Sequence, residues 1–269
     1  MFRSMITRLV LVGLTAAIVG LPEVALGLPR ATSEWVVEGH ERNASFGTSV
    51  ASAGDVNGDG YDDVVVGAPL YGPGDPGAAF LFLGSATGPS TAPDWAVWPH
   101  QAYASFGTSV ASAGDVNGDG YDDVVIGAPF YGPDDGGAAF LFLGSATGLS
   151  ATPDWTTFGH QTNGELGTSV ASAGDVNGDG YDDVVVGAPL YGQGDAGAAF
   201  LFLGSAAGPS AAPDWTARGR QPGAWFGWSV ASAGDVNGDG YDDVVVGAPL
   251  YGPGDPGAAF LFLGSALGP

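Results

Sequence analysis

Residues 49–65 read SVASAGDVNGDGYDDVV, a stretch that occurs four times in the chain and indicates a repeat fold. The copies begin at Ser49, Ser109, Ser169 and Ser229, so the repeat period is 60 residues. A fixed period of this length indicates supersecondary units that stack on one another. Two other landmarks keep the same phase: Trp35, Trp95, Trp155 and Trp215, and the Gly-Ala-Pro triplets at 67, 127, 187 and 247. The sequence therefore divides into four units of about 60 residues, approximately 29–88, 89–148, 149–208 and 209–269.

Each unit contains four predicted β-strands, separated by clusters of Gly, Pro, Asn and Asp. In the first unit the strands are predicted at 46–54, 63–69, 78–84 and 94–98. The second and third strands are continuously apolar, which is typical of strands that are covered on both faces. Four short antiparallel strands per repeat are typical of a propeller blade, so we predict an all-β propeller.

The stretch SEWVVEG at 33–39 resembles the Trp-bearing fourth strand, which the fourth unit lacks before Pro269. If residues 34–38 pair with the three C-terminal strands, four units close a ring and leave no open sheet edge. The alternative is that the four units form part of a larger propeller.

The net charge is −23, from 29 acidic residues against six arginines. A nucleic acid or an anionic membrane is therefore an unfavourable partner, whereas cations are favourable ones. Cysteine is absent, so packing or bound metal must replace disulfides if the chain is exported.

The N-terminus has the pattern of a secretory signal peptide. Arg3 and Arg8 precede an apolar run from Leu9 to Gly20, which is followed by small residues at Ala25 and Gly27. We predict a signal peptide at 1–27, a propeller domain at 28–269, and a secreted or cell-surface location with no membrane insertion after cleavage. An uncleaved anchor is the alternative, although the apolar run is short for a bilayer span.

Each repeat also carries the pattern D-x-N-x-D-G-x-x-D, which in the first unit begins at Asp55 and ends at Asp63. Oxygen ligands at alternate positions, with glycine at the sixth place, suit a hard cation with six to eight ligands, so calcium is predicted. Val66 occupies the twelfth place, where an EF-hand requires glutamate. Asp63 can close the ligand shell, and Asp62 is expected to lie outside it or face solvent. The alternative is an Asx-rich turn that binds nothing.

Phe46-Gly47, the DVNGDGYDD loop and Gly67-Ala68-Pro69 together resemble the FG-GAP repeats of integrin α-subunits, over residues 34–269. The resemblance implies a β-propeller with calcium between the first two strands of a blade, and a role in extracellular adhesion or ligand recognition. About four calcium ions are expected. By position, the implied ligands are Asp55, Asn57, Asp59, Tyr61 and Asp63; Asp115, Asn117, Asp119, Tyr121 and Asp123; Asp175, Asn177, Asp179, Tyr181 and Asp183; and Asp235, Asn237, Asp239, Tyr241 and Asp243, each tyrosine through its carbonyl.

The chain also departs from the pattern of that family. Its best-known members have seven blades and bind calcium in only some, whereas all four loops are intact here. Leu166 replaces the phenylalanine of Phe-Gly, a mild change at a packing position. Trp228 stands where the other units have threonine, and we expect it to crowd or cap the fourth blade.

A ligand surface is expected on the face opposite the metal loops. There the stretches at 99–105, 159–165 and 219–225 read PHQAYAS, GHQTNGE and GRQPGAW, and they vary most between repeats. The alternative is that these are merely tolerant surface loops. The periodic tryptophans are interpreted as inter-blade packing residues, and Trp98, Trp225 and Trp228 as better ligand candidates.

Sequence motifs for catalysis are absent: there is no metalloprotease, hydrolase or P-loop motif, and no cysteine or lysine nucleophile. We therefore predict a non-catalytic calcium-binding module that recognises an extracellular protein or glycan. One alternative is a structural surface repeat whose calcium is architectural. Another is a carbohydrate-active enzyme that uses Asp75, Asp134 or Asp135.

Overall fold

The computed structural model describes residues 35–269, which form fifteen β-strands. The first repeat contains β1 (Ser49–Gly54), β2 (Asp63–Ala68), β3 (Ala78–Phe82) and β4 (Trp95–Val97). The second contains β5 (Ser109–Gly114), β6 (Asp123–Ala128), β7 (Ala138–Phe142) and β8 (Trp155–Phe158). The third contains β9 (Ser169–Gly174), β10 (Asp183–Ala188), β11 (Ala198–Phe202) and β12 (Trp215–Arg218). The fourth contains β13 (Ser229–Gly234), β14 (Asp243–Ala248) and β15 (Ala258–Phe262).

Each repeat forms its own antiparallel sheet, here called blades 1 to 4, with the strands in chain order. The all-β prediction and the division into four units are confirmed. Within residues 35–269 there is no helix, and so none that could cross a membrane. The predicted signal peptide at 1–27 lies outside the described residues.

The strands are shorter than predicted because local contacts end them. The first strand begins at Ser49 rather than Phe46, since Ser45 and Gly47 have φ of 55° and 85° and turn the chain. The third strand ends at Phe82, and Gly84 N–H donates to the Asp63 carboxylate at 2.7 Å instead of joining the ladder. The second strands of blades 2 and 3 are buried along their whole length, as predicted.

The apolar core lies between the blades rather than inside any one of them. Each pair of successive blades encloses one cluster of buried side chains, and we call this contact a junction. At the first junction, Val65 and Leu81 of blade 1 belong to one cluster with Val110, Ile126 and Phe142 of blade 2. Equivalent clusters fill the second and third junctions. Each blade therefore buries its apolar side chains against a neighbouring blade, as expected for a repeat fold.

The periodic tryptophans cross these junctions, which confirms their packing role. Trp95, in β4 of blade 1, donates from Nε1 to the Ser150 carbonyl of blade 2 at 2.9 Å. Its ring meets Phe142 edge-on with centroids 5.0 Å apart. Trp35 makes the same pair of contacts with blade 1, to the Ser90 carbonyl at 2.9 Å and to Phe82 at 5.3 Å.

The four blades form an open arc, so the expectation of a closed four-bladed ring is wrong. Blade 4 has three strands among the described residues, and residues 35–38 pack on blade 1 without pairing with β15. The first strands of neighbouring blades lie side by side: β1 with β5, β5 with β9, and β9 with β13. The two at the ends, β1 and β13, make no comparable contact. Because every junction uses the same contacts, each adds a similar rotation, and three such rotations leave the ends apart. The structure matches the alternative, part of a larger propeller.

Candidate metal loops and the opposite loop face

Each candidate metal loop joins the first two strands of a blade and is closed by its own side chains. In the first loop, Asp55 accepts hydrogen bonds from the N–H groups of Asp59 at 3.0 Å and Gly60 at 2.8 Å. Gly58 and Gly60 have φ of 71° and 87°, a conformation that glycine adopts without strain. The alternating Asp and Asn side chains therefore turn toward the inside of a tight bend.

The donor set of this loop fits a hard cation. Asp55 Oδ1 and Asn57 Oδ1 both lie 3.0 Å from the Asp59 nitrogen. These two oxygens therefore lie on the same side of the bend, within about 6 Å of each other. Only oxygen donors are present, as calcium prefers. Asp55, Asn57, Asp59 and the Tyr61 carbonyl would hold the ion, which would neutralise the clustered carboxylates.

Asp63 has a different environment from the other predicted ligands. Its side chain is 1% exposed, and its two oxygens accept hydrogen bonds from Val56 N–H at 3.0 Å and Gly84 N–H at 2.7 Å. Burial raises the pKa of Asp63, and repulsion from Asp59 and Asp55 adds to the rise. Asp63 thus ties the loop to the end of β3, and its further role as a ligand stays a prediction.

The same environment occurs at the equivalent aspartates of the other blades. Burial raises the pKa of Asp123 and Asp183 to about 7, against two backbone hydrogen bonds that lower it. Within residues 35–269, no three Asp, Glu, His or Cys side chains are grouped as they would be around a bound metal. In the first loop the Asp55 carboxylate accepts hydrogen bonds from backbone N–H groups, as in an Asx turn. The twenty ligands implied by the sequence therefore stay a prediction.

The exposure expected for Asp62 is confirmed, but its equivalents in the other three blades contact the preceding blade. Asp122 does not face solvent: its Oδ2 accepts from Asp55 N–H of the preceding blade at 2.8 Å, and its own N–H donates to the Asp55 carbonyl at 3.2 Å. Asp182 and Asp242 repeat the side-chain contact on the next two loops. Only Asp62 is exposed, because among the described residues no blade precedes the first. Each of the three is therefore a clamp between consecutive metal loops.

The variable loops lie on the opposite side and are held by hydrogen bonds. In the loop at 99–105, Tyr103 N–H donates to the Gly74 carbonyl of blade 1 at 2.7 Å. In the same loop, Gln101 Oε1 accepts from Gly132 N–H of its own blade at 3.0 Å. Gln161 and Gln221 repeat this second contact. The loops are therefore fixed to two blades at once.

Several variable positions hold large residues in an unusual backbone conformation. Tyr103, Glu165 and Trp225 have φ of 61°, 53° and 55°. A left-handed conformation costs an L-residue on the order of 1–2 kcal/mol. Tyr103 is 68% exposed, so it does not offset this cost by burial. The sequence pattern gave no signal for this strain.

The tryptophans that break the period lie at the surface. Trp225 stacks on Trp228 with centroids 5.3 Å apart and ring planes 20° apart. Trp228 is about half exposed, so the side chain is not forced into the core of the fourth blade, and its capping role stays a prediction. Trp98 is also half exposed, 6.3 Å from the ring of Tyr71. The packing position expected for Leu166 is confirmed, since this residue is buried in the second junction.

The carboxylates of the catalytic alternative are exposed turn residues. Asp75, Asp134 and Asp135 lie in the turns between the second and third strands of blades 1 and 2. Asp75 and Asp135 have φ of 52° and 50°, as turn residues in a left-handed conformation do. A role in the turns accounts for all three.

Comparison with known proteins agrees with this architecture. The family model described as the FG-GAP repeat matches residues 46–82, 106–142, 166–202 and 226–262, one segment in each blade. The chain belongs to the FG-GAP repeat family. Each matched segment of this FG-GAP chain begins at the Phe-Gly or Leu-Gly turn and ends with the third strand of a blade.

Integrin α-subunits are among the similar proteins. Integrin alpha-5 of Xenopus laevis is 34% identical over 214 residues, which cover 76% of this chain and 20% of that protein. Integrin alpha-IIb of Homo sapiens is 37% identical over 162 residues, covering 56% of this chain and 15% of that protein. Integrin alpha-PS2 of Drosophila melanogaster is 34% identical over 218 residues, which cover 72% of this chain and 14% of that protein. The FG-GAP chain thus spans about a fifth or less of the length of these relatives.

Proposed function

We propose that this FG-GAP chain is a non-catalytic recognition module that acts outside the cell. In this proposal, calcium stiffens one face of the blades, and the variable loops of the opposite face contact an extracellular protein or glycan. The observation that carries the proposal is membership of the FG-GAP family with integrin α-subunits as relatives. The predicted signal peptide supports the location.

The charge distribution supports calcium as the bound ion. Burial raises the pKa of Asp182, and repulsion from Asp122, Asp115 and Asp175 raises it further, so like charges from two loops act on one another. A divalent cation in each loop would remove much of this repulsion. Extracellular sites bind calcium at roughly 10⁻⁴ to 10⁻³ M, which at about 2 mM calcium adds on the order of 1–2 kcal/mol per site.

The position of the loops gives calcium an effect beyond the loop itself. Asp122 joins the second metal loop to the backbone of Asp55 in the first. Ser145 N–H, in the connector after β7, also donates to the Val56 carbonyl in the first loop at 3.0 Å. An ion that orders the first loop would therefore also hold the groups of blade 2 that are hydrogen-bonded to it, and so stabilise the first junction. Calcium in this proposal stabilises the arc and keeps the opposite loops in fixed relative positions.

The opposite face has the features of a recognition surface. The metal loops are identical in all four repeats, whereas the stretches at 99–105, 159–165 and 219–225 differ. They are fixed by backbone hydrogen bonds, and two of them present an aromatic side chain, Tyr103 or Trp225, from a strained left-handed backbone. Strained residues persist where the surrounding structure holds them, and such positions cluster at ligand sites. Tyr103, Trp225 and Trp228 supply rigid aromatic surface, which protein interfaces favour.

A binding screen with matched variants tests the proposal. Immobilised matrix proteins and glycans are probed with the chain in 2 mM calcium and again after chelation. The variants Trp225→Ser and Trp228→Thr restore the residues of repeat 2, where Thr108 Oγ1 donates to the Ser105 carbonyl at 2.7 Å, so the turn should be kept. Leu267→Ser, at an exposed site in the last connector, is the control.

We expect at least one probe to bind the wild-type chain in calcium. The two tryptophan variants should lower that affinity by about tenfold or more, and the control should leave it unchanged. If no probe binds, or if both tryptophan variants bind like wild type, the recognition role of this face is wrong. An outcome with no binding but strong calcium-dependent stability would favour a purely architectural repeat.

A further inference from the structure

The first blade exposes a surface that is buried in every other blade. We call the side of blade 1 that faces away from blade 2 the leading face. Val50 on this face is 65% exposed, whereas Val110 and Val170, at the same place in blades 2 and 3, are each 5% exposed. Tyr61 is exposed on blade 1, while Tyr121 lies against Gly58 of the preceding blade. The leading face is thus half of a junction without its other half.

The fourth blade exposes the complementary surface. We call the side of blade 4 that faces away from blade 3 the trailing face. Leu261 on this face is 49% exposed, whereas Leu81, at the same place in blade 1, is 1% exposed within the first junction. Val236 and Ala259 are likewise exposed on blade 4, and their equivalents in the other blades are fully buried. The trailing face therefore presents the apolar groups that the leading face would cover.

The polar groups of the two faces also match. Each internal junction contains two hydrogen bonds between its blades. In the first, a carboxylate accepts from an aspartate N–H, as Asp122 does from Asp55. In the second, a serine N–H donates to a valine carbonyl of the preceding blade. At the ends of the arc, Asp62 and Ser85 N–H lie on the leading face, and Asp235 N–H and the Val236 carbonyl lie on the trailing face. Among residues 35–269 these groups make no such contact.

The strand pairing of the blades gives a third match. In blades 1 to 3, the tryptophan of the fourth strand lies opposite a leucine of the third strand, as Trp95 lies opposite Leu81. Blade 4 has Leu261 in that place but no fourth strand in the described chain. Residues 35–38 carry the corresponding tryptophan and already pack on blade 1 in the way a preceding fourth strand would.

We propose that the trailing face of one copy of this chain binds the leading face of a second copy, head to tail. Residues 35–38 of the second copy then complete the sheet of blade 4, and its Asp62 clamps the metal loop that begins at Asp235. Two different surfaces meet in this contact, so it is heterologous. A pair of copies that makes the contact twice holds eight blades, within the range that propellers adopt.

Sedimentation of two variants, alone and mixed, tests this arrangement. Val50→Asp places a charge on the leading face and leaves the trailing face intact. Gly247→Ala alters only the trailing face, since its methyl group meets Ser229 Oγ within the chain, whereas a methyl at Gly127 would meet the Gly167 carbonyl of the next blade at 1.9 Å. Asp62→Ala is a second leading-face variant at an exposed side chain. Circular dichroism melts at low concentration check that each variant folds.

With calcium present, we expect the wild-type chain to associate and each variant alone to associate at least about tenfold more weakly. An equimolar mixture of Val50→Asp and Gly247→Ala should regain a dimer, because one intact leading face meets one intact trailing face. A wild-type chain that remains monomeric at about 100 μM would overturn the proposal. So would variants that associate like wild type, or a mixture that stays as monomeric as its components.

Discussion

The glycines of the Gly-Ala-Pro triplets allow a direct test of how the blades pack. A Cβ atom added at Gly127 would lie 1.9 Å from the carbonyl oxygen of Gly167 and 2.9 Å from its carbonyl carbon. Both glycines belong to backbone at the second junction, the first in β6 and the second in the Leu-Gly turn of blade 3. At Gly247 the same atom would meet only the hydroxyl of Ser229, because no blade follows in the described chain.

We therefore predict different costs for the same substitution. For Gly127→Ala, the blades must move apart by more than about 1 Å, and overpacking of this kind costs typically 1–3 kcal/mol. Because both obstructing groups are backbone, we expect about 3 kcal/mol, which lowers the melting temperature by roughly 6–12 °C in a domain of this size. For Gly247→Ala the serine hydroxyl can rotate away, so we expect a change within about 1 kcal/mol.

Thermal and urea unfolding in calcium buffer, at a concentration low enough to keep the chain monomeric, measures both effects. Gly67→Ala and Gly187→Ala should behave like Gly127→Ala, since their methyl groups would each lie 2.0 Å from a carbonyl of the next blade. Equal losses at Gly127 and Gly247 would contradict this prediction, because the cost would then come from the strand itself and not from the junction.

Three further predictions concern single residues. Asp122→Ala should lower the free energy of unfolding by about 1–3 kcal/mol, because Asp122 accepts a hydrogen bond from a backbone N–H of another blade. Asp62→Ala, at an exposed side chain, should lower it by no more than about 0.5 kcal/mol. Equal losses in urea titrations would show that the contact between Asp122 and Asp55 does not stabilise the junction. Leu166→Phe should add about 0.5–1.5 kcal/mol by restoring the aromatic contacts made at the first and third junctions, and a lower melting temperature would contradict this. In metal-free buffer the melting temperature should fall as the pH rises from 5.5 to 7.5. Burial raises the pKa of Asp123 and Asp183 from 3.8 to about 7, so in this range the native state keeps protons that the unfolded state has already lost. Saturating calcium, which favours the ionised carboxylates, should weaken that fall, and a metal-free melting temperature that rises over this range would contradict the assignment.

The sequence predicted the blades well because their structure is decided locally. The apolar runs at 63–69 and 78–84, bounded by glycine and proline, indicate strands whatever the neighbouring blade does. The observed strands Asp63–Ala68 and Ala78–Phe82 differ only at their ends. The metal loop is equally local, since its aspartates accept hydrogen bonds from amides two to five residues away.

What the sequence did not predict depends on contacts between blades. Strand alternation correctly placed Asp62 and Asp63 on opposite sides. The partner of Asp122, however, is the backbone of a residue 67 positions earlier, which no local pattern reveals. Ring closure failed for the same reason, because the rotation between blades is a property of the junction. The positive φ at Trp225 likewise depends on loops held by neighbouring blades.

Calorimetric titration of the purified chain with calcium, followed by thermal melting, determines whether the four loops bind the ion and whether the ion stabilises the blades. We expect about four ions per chain and a melting temperature that rises with calcium and falls after chelation. Asp119→Ala, in the second loop, should remove about one ion and leave the others. An absence of binding heat, together with a melting temperature that chelation does not change, would show that the loops are turns alone and would contradict the calcium-stabilised module.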